Sequence, residues 1–218
     1  MTGRRDEVWK NEWIVKRFLE GVRGGIPYAS DQIEVMLRVL GAGGRPISTF
    51  MDLGSGSGLL AVALLPQYPD ARAPLVDFSE PMMEAARDLL GEDASTPCFI
   101  MADFAVPGWV DRVEAQGPFD AIVSGFAIHH MTDERKRALF GELLELLAPG
   151  GFFIDVEHVA SSTPWVSARF DDALIDSITA YQAQMGTGKN RRQVAHEHRH
   201  RPDESANILA PVETQCGW

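Results

Sequence analysis

Residues 50–58 read FMDLGSGSG, an apolar run that leads into an aspartate and then three glycines at alternate positions. A glycine-rich turn after a buried strand typically holds a nucleotide, because glycine lets the backbone approach its ligand closely. The dinucleotide fingerprint G-x-G-x-x-G fits Gly54 and Gly56, but its last position falls on Leu59. Asp52 stands beside the turn, where it would repel a phosphate and favours a ligand with a positive group.

Short apolar runs alternate with helical patterns along the middle of the chain. The runs, which we predict to be strands, lie at 47–53, 73–78, 98–104, 119–126 and 151–159. Helical patterns lie between and around them, at 8–22, 30–41, 59–68, 81–90, 108–116, 133–147 and 164–185. This alternation predicts an α/β fold with a doubly wound, mostly parallel sheet. Ligands of such sheets bind outside the carboxyl ends of the strands.

An aspartate closes or follows each of the first three predicted strands, so three carboxylates should meet at one rim of the sheet. They would repel one another unless a cation or a set of donors relieved them. We expect Asp77 to accept from two ribose hydroxyls and Asp103 from an adenine amino group, with Phe78 or Phe104 covering the ring. Asp52 would hold an ammonium group or, alternatively, cap the helix that follows.

An adenosine with cationic groups and no phosphate describes S-adenosylmethionine, whose carboxylate would sit at backbone N–H groups of the turn. The chain resembles the class I S-adenosylmethionine-dependent methyltransferases of the small-molecule type. Five segments carry the resemblance, in the order of the family: FMDLGSGSG (50–58), LVDFSEPMM (75–83), MADF (101–104), FDAIVSGFAIHHM (119–131) and LLAPGGFFI (146–154). The resemblance implies a Rossmann-like methyltransferase fold, S-adenosyl-L-methionine as cofactor, and methyl transfer to an O, N or C nucleophile of a small molecule.

The resemblance also implies which residues bind the cofactor. Met82 would pack near the adenosine and Ser124 near the methionine moiety. Tyr28, in RGGIPYASD (23–31), would be the aromatic residue that reaches the cofactor from the N-terminal side. The complete predicted set is Tyr28, Asp52, Gly54, Ser55, Gly56, Asp77, Phe78, Met82, Ala102, Asp103, Phe104 and Ser124.

The pair His129–His130 follows the fourth predicted strand, where the family places the substrate near the methyl group. A neutral imidazole at that point could take a proton from a hydroxyl or an amine during transfer. In the alternative interpretation, one histidine bonds to the backbone and the other packs. We take both histidines as catalytic candidates.

The formal net charge of −11 disfavours a broad surface for nucleic acid, which needs clustered Lys and Arg. One local basic cluster exists and could bind an acidic substrate: Lys189, Arg191, Arg192, Arg199 and Arg201. Three histidines at alternate positions within it, 196, 198 and 200, would share a face on a strand, but we expect a solvated loop and no metal site. The two cysteines, Cys98 and Cys216, are in no metal-like spacing and predict no disulfide framework.

We expect one domain in three parts: N-terminal helices that form a lid (1–46), a cofactor-binding core (47–159) and substrate-side helices (160–218). The seven-stranded sheet typical of the family would lack its last two antiparallel strands, because no strand pattern follows residue 159. The N-terminus MTGRRDEVWKNEW lacks the apolar core of a signal peptide, and no run approaches the roughly 20 apolar residues of a membrane span. These features predict a cytoplasmic protein without a membrane partner. They leave the oligomeric state open, a homodimer included.

Two other functions compete with small-molecule methylation. Some members of the family act on transfer RNA or convert the cofactor to a carboxylated form, and the basic cluster would serve either purpose. The chain could also be a nucleotide-dependent oxidoreductase or a non-catalytic cofactor-binding module. Asp52 and the imperfect glycine fingerprint argue against the oxidoreductase, whereas the missing strands argue for the module.

Overall fold

A computed structural model describes residues 4–91 and 97–218 of the chain. Its centre is a sheet of five strands, all parallel, in the spatial order β3-β2-β1-β4-β5. The strands are β1 Phe50–Leu53, β2 Ala73–Asp77, β3 Pro97–Met101, β4 Phe119–Gly125 and β5 Leu147–Val156. The predicted α/β class and its doubly wound parallel sheet are therefore confirmed.

Eight α-helices surround or extend the sheet in the described residues. They are α1 Glu12–Gly21, α2 Ala29–Ala42, α3 Leu59–Leu64, α4 Glu80–Leu90, α5 Asp133–Leu146, α6 Pro164–Gln184, α7 Arg191–Arg199 and α8 Val212–Gln215. Short 3-10 helices lie at Arg5–Lys10, Arg23–Gly25, Trp109–Arg112, Glu114–Gln116, Ile128–His130 and Glu204–Ala206. The predicted helix at 8–22 is thus split in two at Asn11, whose side chain accepts from Ile14 N and caps α1.

The two faces of the sheet carry separate apolar cores. On one face, side chains from alternate strand positions pack against α5 and the 3-10 segments before β4; they include Met51, Leu53 and Ile122. On the opposite face, the side chains of the intervening positions pack against α2 and α3; they include Phe50 and Ala121. Burying one side chain the size of Phe50 contributes roughly 1.5–3 kcal/mol relative to exposing it. This two-sided burial explains why each strand reads as a short, nearly continuous apolar run.

Helices α6 and α7 form a third apolar cluster outside the sheet, built on Ile175, Ile178, Val194 and Ala195. The expectation of a solvated loop at the basic stretch was wrong, because α7 is a helix. Asn190 and Gln193 form a reciprocal capping box at its first turn. On a helix the three alternate histidines do not share one face, and in residues 4–91 and 97–218 no group of three or more side chains is placed to hold a metal ion.

The order of the strands fixes where a ligand can bind. The chain runs outward from β1 to β2 and β3, then returns to the other side of β1 as β4 and β5. The crevice at this reversal lies at the carboxyl ends of β1 and β4. No helix of the described residues has both the length and the apolar character that a membrane crossing requires. Residues 157–218 contribute helices and turns and no strand.

Candidate functional site

The glycine turn after β1 is fixed by the end of β2. Gly54 N and Ser55 N both donate to Val76 O, at 2.7 and 3.0 Å. Gly54 has a φ of +65°, and a Cβ there would lie 2.3 Å from Cβ of Ala127. Both the backbone conformation and the space therefore require glycine at this position.

Asp77, the last residue of β2, is buried and holds the same turn through its side chain. Its Oδ2 accepts from Gly56 N and its Oδ1 from Ser79 N, both at 2.8 Å. Burial raises the pKa of Asp77, while these backbone donors oppose the rise. The carboxylate is therefore held in one orientation by charge-assisted bonds before any ligand arrives.

Asp52 lies beneath the turn and not in the cavity above it. Its Oδ2 accepts from Ala61 N, 3.1 Å away in the first turn of α3, so it has the helix-capping role of the alternative interpretation. Its Oδ1 is buried and has no partner among the described residues. Burial raises the pKa of Asp52 to about 7, from an ordinary value of 3.8.

This raised pKa gives the first testable prediction, for the Asp52→Asn variant. Asp52 ionises with a pKa of 3.8 in the unfolded chain and of about 7 in the folded protein. The stability that the protonated carboxyl allows is therefore fully present below pH 3.8 and is lost as the pH rises to about 7. The asparagine of the variant keeps an oxygen for Ala61 N–H and does not ionise. We expect the variant to be more stable at about pH 8 by on the order of 2 kcal/mol, and the difference to shrink near pH 4. Urea unfolding across this range measures it, and a difference that does not change with pH would contradict the assignment.

A cavity of about 780 Å³, including its open mouth, lies over the carboxyl ends of the strands. Eight of the predicted cofactor-binding residues line it: Gly54, Ser55, Gly56, Asp77, Phe78, Met82, Asp103 and Phe104. Residues that the sequence reasoning did not assign also line it, among them Asp6, Trp9, Phe18, Arg23, Ser79 and Phe126.

Four predicted cofactor-binding residues lie elsewhere. Tyr28 is 75% exposed and does not line the cavity, and Asp52 lies below it. Ala102 is buried and donates its backbone N–H to Asp77 O, 3.0 Å away, which ties β3 to β2. Ser124 is fully buried within β4, and its Oγ has no partner among the described residues. Asp52, Ala102 and Ser124 therefore lie beneath the surface of the rim, whereas Tyr28 faces solvent.

The N-terminal 3-10 segment, Arg5–Lys10, roofs the cavity together with the preceding Arg4. Arg4 bonds Asp103 Oδ2 at 2.6 Å and Asp6 at 3.1 Å. Trp9 O accepts from Ser79 Oγ at 2.5 Å, which ties the segment to the N-terminus of α4. Sequence patterning gives no sign of the contacts to Asp103 and Ser79, since each joins residues that are distant along the chain.

His130 lines the cavity, but both of its ring nitrogens are engaged. Trp9 Nε1 donates to its Nε2 at 3.0 Å, so Nδ1 carries the proton and faces Ala206 O at 3.3 Å. Burial lowers the pKa of His130 to about 3, and His129 adds to the effect. The ring is therefore neutral, and its lone pair is already used.

His129 differs from its neighbour in having a carboxylate partner, Glu157, which sequence reasoning missed. Glu157 accepts from His129 Nδ1 at 2.5 Å and from His129 N at 2.9 Å. The side chain of Glu157 is only 4% exposed. Because Nδ1 donates, the lone pair is on Nε2, for which the described residues offer no donor. The rings of His129 and His130 lie 3.9 Å apart, so His129 sits directly behind the wall of the cavity.

The basic cluster is largely neutralised within the protein. Three of its five members form ion pairs: Lys189 with Glu197, Arg191 with Asp172 and Asp176, and Arg201 with Asp203 and Glu204. Arginine and lysine that are already paired offer less to phosphate groups.

Comparisons with known proteins agree with the fold. A family model described as "Methyltransferase domain" matches residues 50–151. The chain is 29% identical over 183 residues to Alpha N-terminal protein methyltransferase 1 of Arabidopsis thaliana, across 73% of this chain and 64% of that protein. It is 33% identical over 107 residues to the demethylmenaquinone methyltransferase of Thermus thermophilus, across 49% of this chain and 46% of that protein. The chain therefore spans less than two thirds of the length of each.

Among solved structures, an O-methyltransferase family protein from Burkholderia thailandensis has a TM-score of 0.58 and is 18% identical. The likeness covers 84% of this chain and 48% of that one. At 18% identity, this likeness shows a shared fold alone.

Proposed function

The chain belongs to the class I S-adenosylmethionine-dependent methyltransferases, and from this premise we propose that it methylates a small-molecule acceptor. Its cofactor is S-adenosyl-L-methionine. When bound, the cofactor supplies an activated methyl group on a sulfonium. The observation that carries the proposal is the cavity, whose wall runs from a nucleoside-binding rim to His130, with the His129–Glu157 pair directly behind it.

The residues of the rim fit the cofactor chemically. The rigid Asp77 carboxylate matches a ribose diol, and Asp103 can accept from an adenine amino group. Phe78, Phe104 and Met82 provide apolar walls for the ring. The turn at Gly54 leaves the backbone free to approach a ligand closely.

The protein contributes to transfer mainly by alignment and by exclusion of water, because the methyl group is already activated. The roof at Arg4–Lys10 and the helices after residue 160 would supply the lid and the acceptor pocket. His129 would accept the proton that a hydroxyl or amine loses on methylation. His130, with its lone pair held by Trp9, would shape the wall and would not act as the base.

A small molecule fits the site better than a nucleic acid. The cavity lies beneath the N-terminal segment, and the net charge is −11. The ion pairs of Lys189, Arg191 and Arg201 also weaken the case for transfer RNA, which the basic cluster first suggested.

Calorimetric titration of the purified chain tests the proposal. We expect S-adenosylhomocysteine, the demethylated cofactor, to bind with a Kd of about 1–100 µM, which corresponds to roughly 5–8 kcal/mol. NAD should not bind, and turnover should follow with a hydroxyl or amine acceptor found by screening. Binding of NAD alone would favour the oxidoreductase, whereas binding of S-adenosylhomocysteine without turnover on any acceptor class would favour the non-catalytic module.

A further inference from the structure

Arg23 is the one arginine among the described residues that line the cavity. The carboxylates that line the same cavity are already engaged: Asp6 and Asp103 bond to Arg4, and Asp77 accepts two backbone N–H groups. In contrast to these engaged carboxylates, the guanidinium of Arg23 has no ion-pair or hydrogen-bond partner within residues 4–91 and 97–218.

A desolvated cation without a partner costs free energy that a ligand can recover. Burial lowers the pKa of Arg23, and only the charge of Asp52 works against that effect. A carboxylate in the cavity would satisfy the guanidinium through two parallel N–H···O bonds.

The position of Arg23 indicates which part of the ligand it meets. Asp77, which we assign to the ribose, ends β2 on one side of β1. Arg23 lies on the other side, where it also lines a smaller pocket with Gly125 and Phe126 at the end of β4. The cavity therefore runs from Asp77, past the glycine turn, to Arg23.

We propose that Arg23 binds the carboxylate of the amino-acid end of S-adenosylmethionine. This inference rests on the proposed function, because it assigns a residue to the same cofactor. It also revises the expectation that turn and helix backbone groups alone would hold that carboxylate, since Asp52 already occupies Ala61 N–H in α3.

The turn that carries Arg23 is held in place by α6, outside the segment that the family model matches. A Cβ on Gly25 would lie 2.8 Å from Cα of Ile178, and Gln182 Nε2 donates to Gly21 O at 2.9 Å. This close packing orders the segment around Arg23. Helix α6 thus acts as a positioning element for cofactor binding.

The test compares two ligands by calorimetry on the full chain. S-adenosylhomocysteine has the amino-acid end, and 5′-methylthioadenosine keeps the adenosine and the thioether without it. For Arg23→Gln we expect about tenfold weaker binding of S-adenosylhomocysteine and unchanged binding of 5′-methylthioadenosine. Arg23→Lys should recover part of the loss, because it keeps the charge. The matched control is Arg38→Gln, an exposed arginine of α2, which should bind both ligands like the unaltered chain.

Each outcome separates the inference from the proposed function. Equal weakening of both ligands, or no change for S-adenosylhomocysteine, would overturn the role of Arg23 while leaving the cofactor assignment intact. Failure of the unaltered chain to bind either ligand would overturn both.

Gly25→Ala tests the role of α6 without altering the charge. Its Cβ forces the turn away from Ile178, so we expect a selective loss for S-adenosylhomocysteine, smaller than that of Arg23→Gln. Unchanged affinity in a folded Gly25→Ala chain would overturn the positioning by α6.

Discussion

S-adenosylhomocysteine is expected to bind the Asp77→Ala variant about 100-fold more weakly than the unaltered chain, a loss of about 2.7 kcal/mol. Two effects add. The ribose hydroxyls lose a charged acceptor, and Gly56 N and Ser79 N lose the oxygens that hold the glycine turn in place. Calorimetric titration measures the loss, and circular dichroism establishes that the variant is folded.

Asp88→Ala is the matched control, because Asp88 is an exposed carboxylate on α4, away from the cavity. It changes the charge by the same amount and should leave the affinity unaltered. A folded Asp77→Ala chain that still binds S-adenosylhomocysteine with its original affinity would place the ribose elsewhere.

The rim of the site was predictable because its residues follow strands in sequence. A strand ends where its apolar run ends, so the positions of Gly54, Asp77 and Asp103 at one edge follow from the alternating pattern alone. The same reasoning placed Asp52 at the rim but could not choose between a ligand contact and a helix cap. The choice depends on the direction of the side chain, and Asp52 points toward α3.

The remaining parts of the site depend on contacts between distant segments, which no local pattern records. Glu157 meets His129 because β5 lies beside β4, and Trp9 meets His130 because the N-terminal segment folds over the sheet. In the segment that holds both Arg23 and Tyr28, the sequence favours Tyr28 as the cofactor contact and gives no sign of Arg23. That segment curls back on α6, which leaves Tyr28 in solvent and turns Arg23 inward.

The sequence around α7 contains a local signal for a helix. The basic composition of residues 189–201 suggested a solvated loop, yet Asn190 and Gln193 have the three-residue spacing of a capping box. The buried pair Val194 and Ala195 then anchors the helix on α6. Here the capping pattern was a better guide than charge.

The pairing of Glu157 with His129 gives the prediction with the largest effect on catalysis. His129→Ala should lower kcat about 1,000-fold with an acceptor that loses a proton on methylation, and should leave the affinity for S-adenosylhomocysteine unchanged. His130→Ala should cost far less, because the lone pair of His130 is already bonded to Trp9. Steady-state release of S-adenosylhomocysteine measures both variants. Equal losses in the two would mean that the pair acts by packing and not by proton transfer.

Glu157→Gln separates proton transfer from packing with almost no change in shape. An amide that turns its NH2 group toward His129 Nδ1 makes that nitrogen an acceptor, which moves the proton to Nε2 and removes the lone pair needed for catalysis. We expect kcat to fall about 100-fold. The tautomer can be read directly from ¹⁵N chemical shifts of the labelled imidazole, with no acceptor present. Nδ1–H in the unaltered chain and Nε2–H in the variant are the expected states. An Nε2–H tautomer in the unaltered chain would rule out His129 as the base, since Nδ1 faces Glu157 and Nε2 would then have no lone pair to accept a proton.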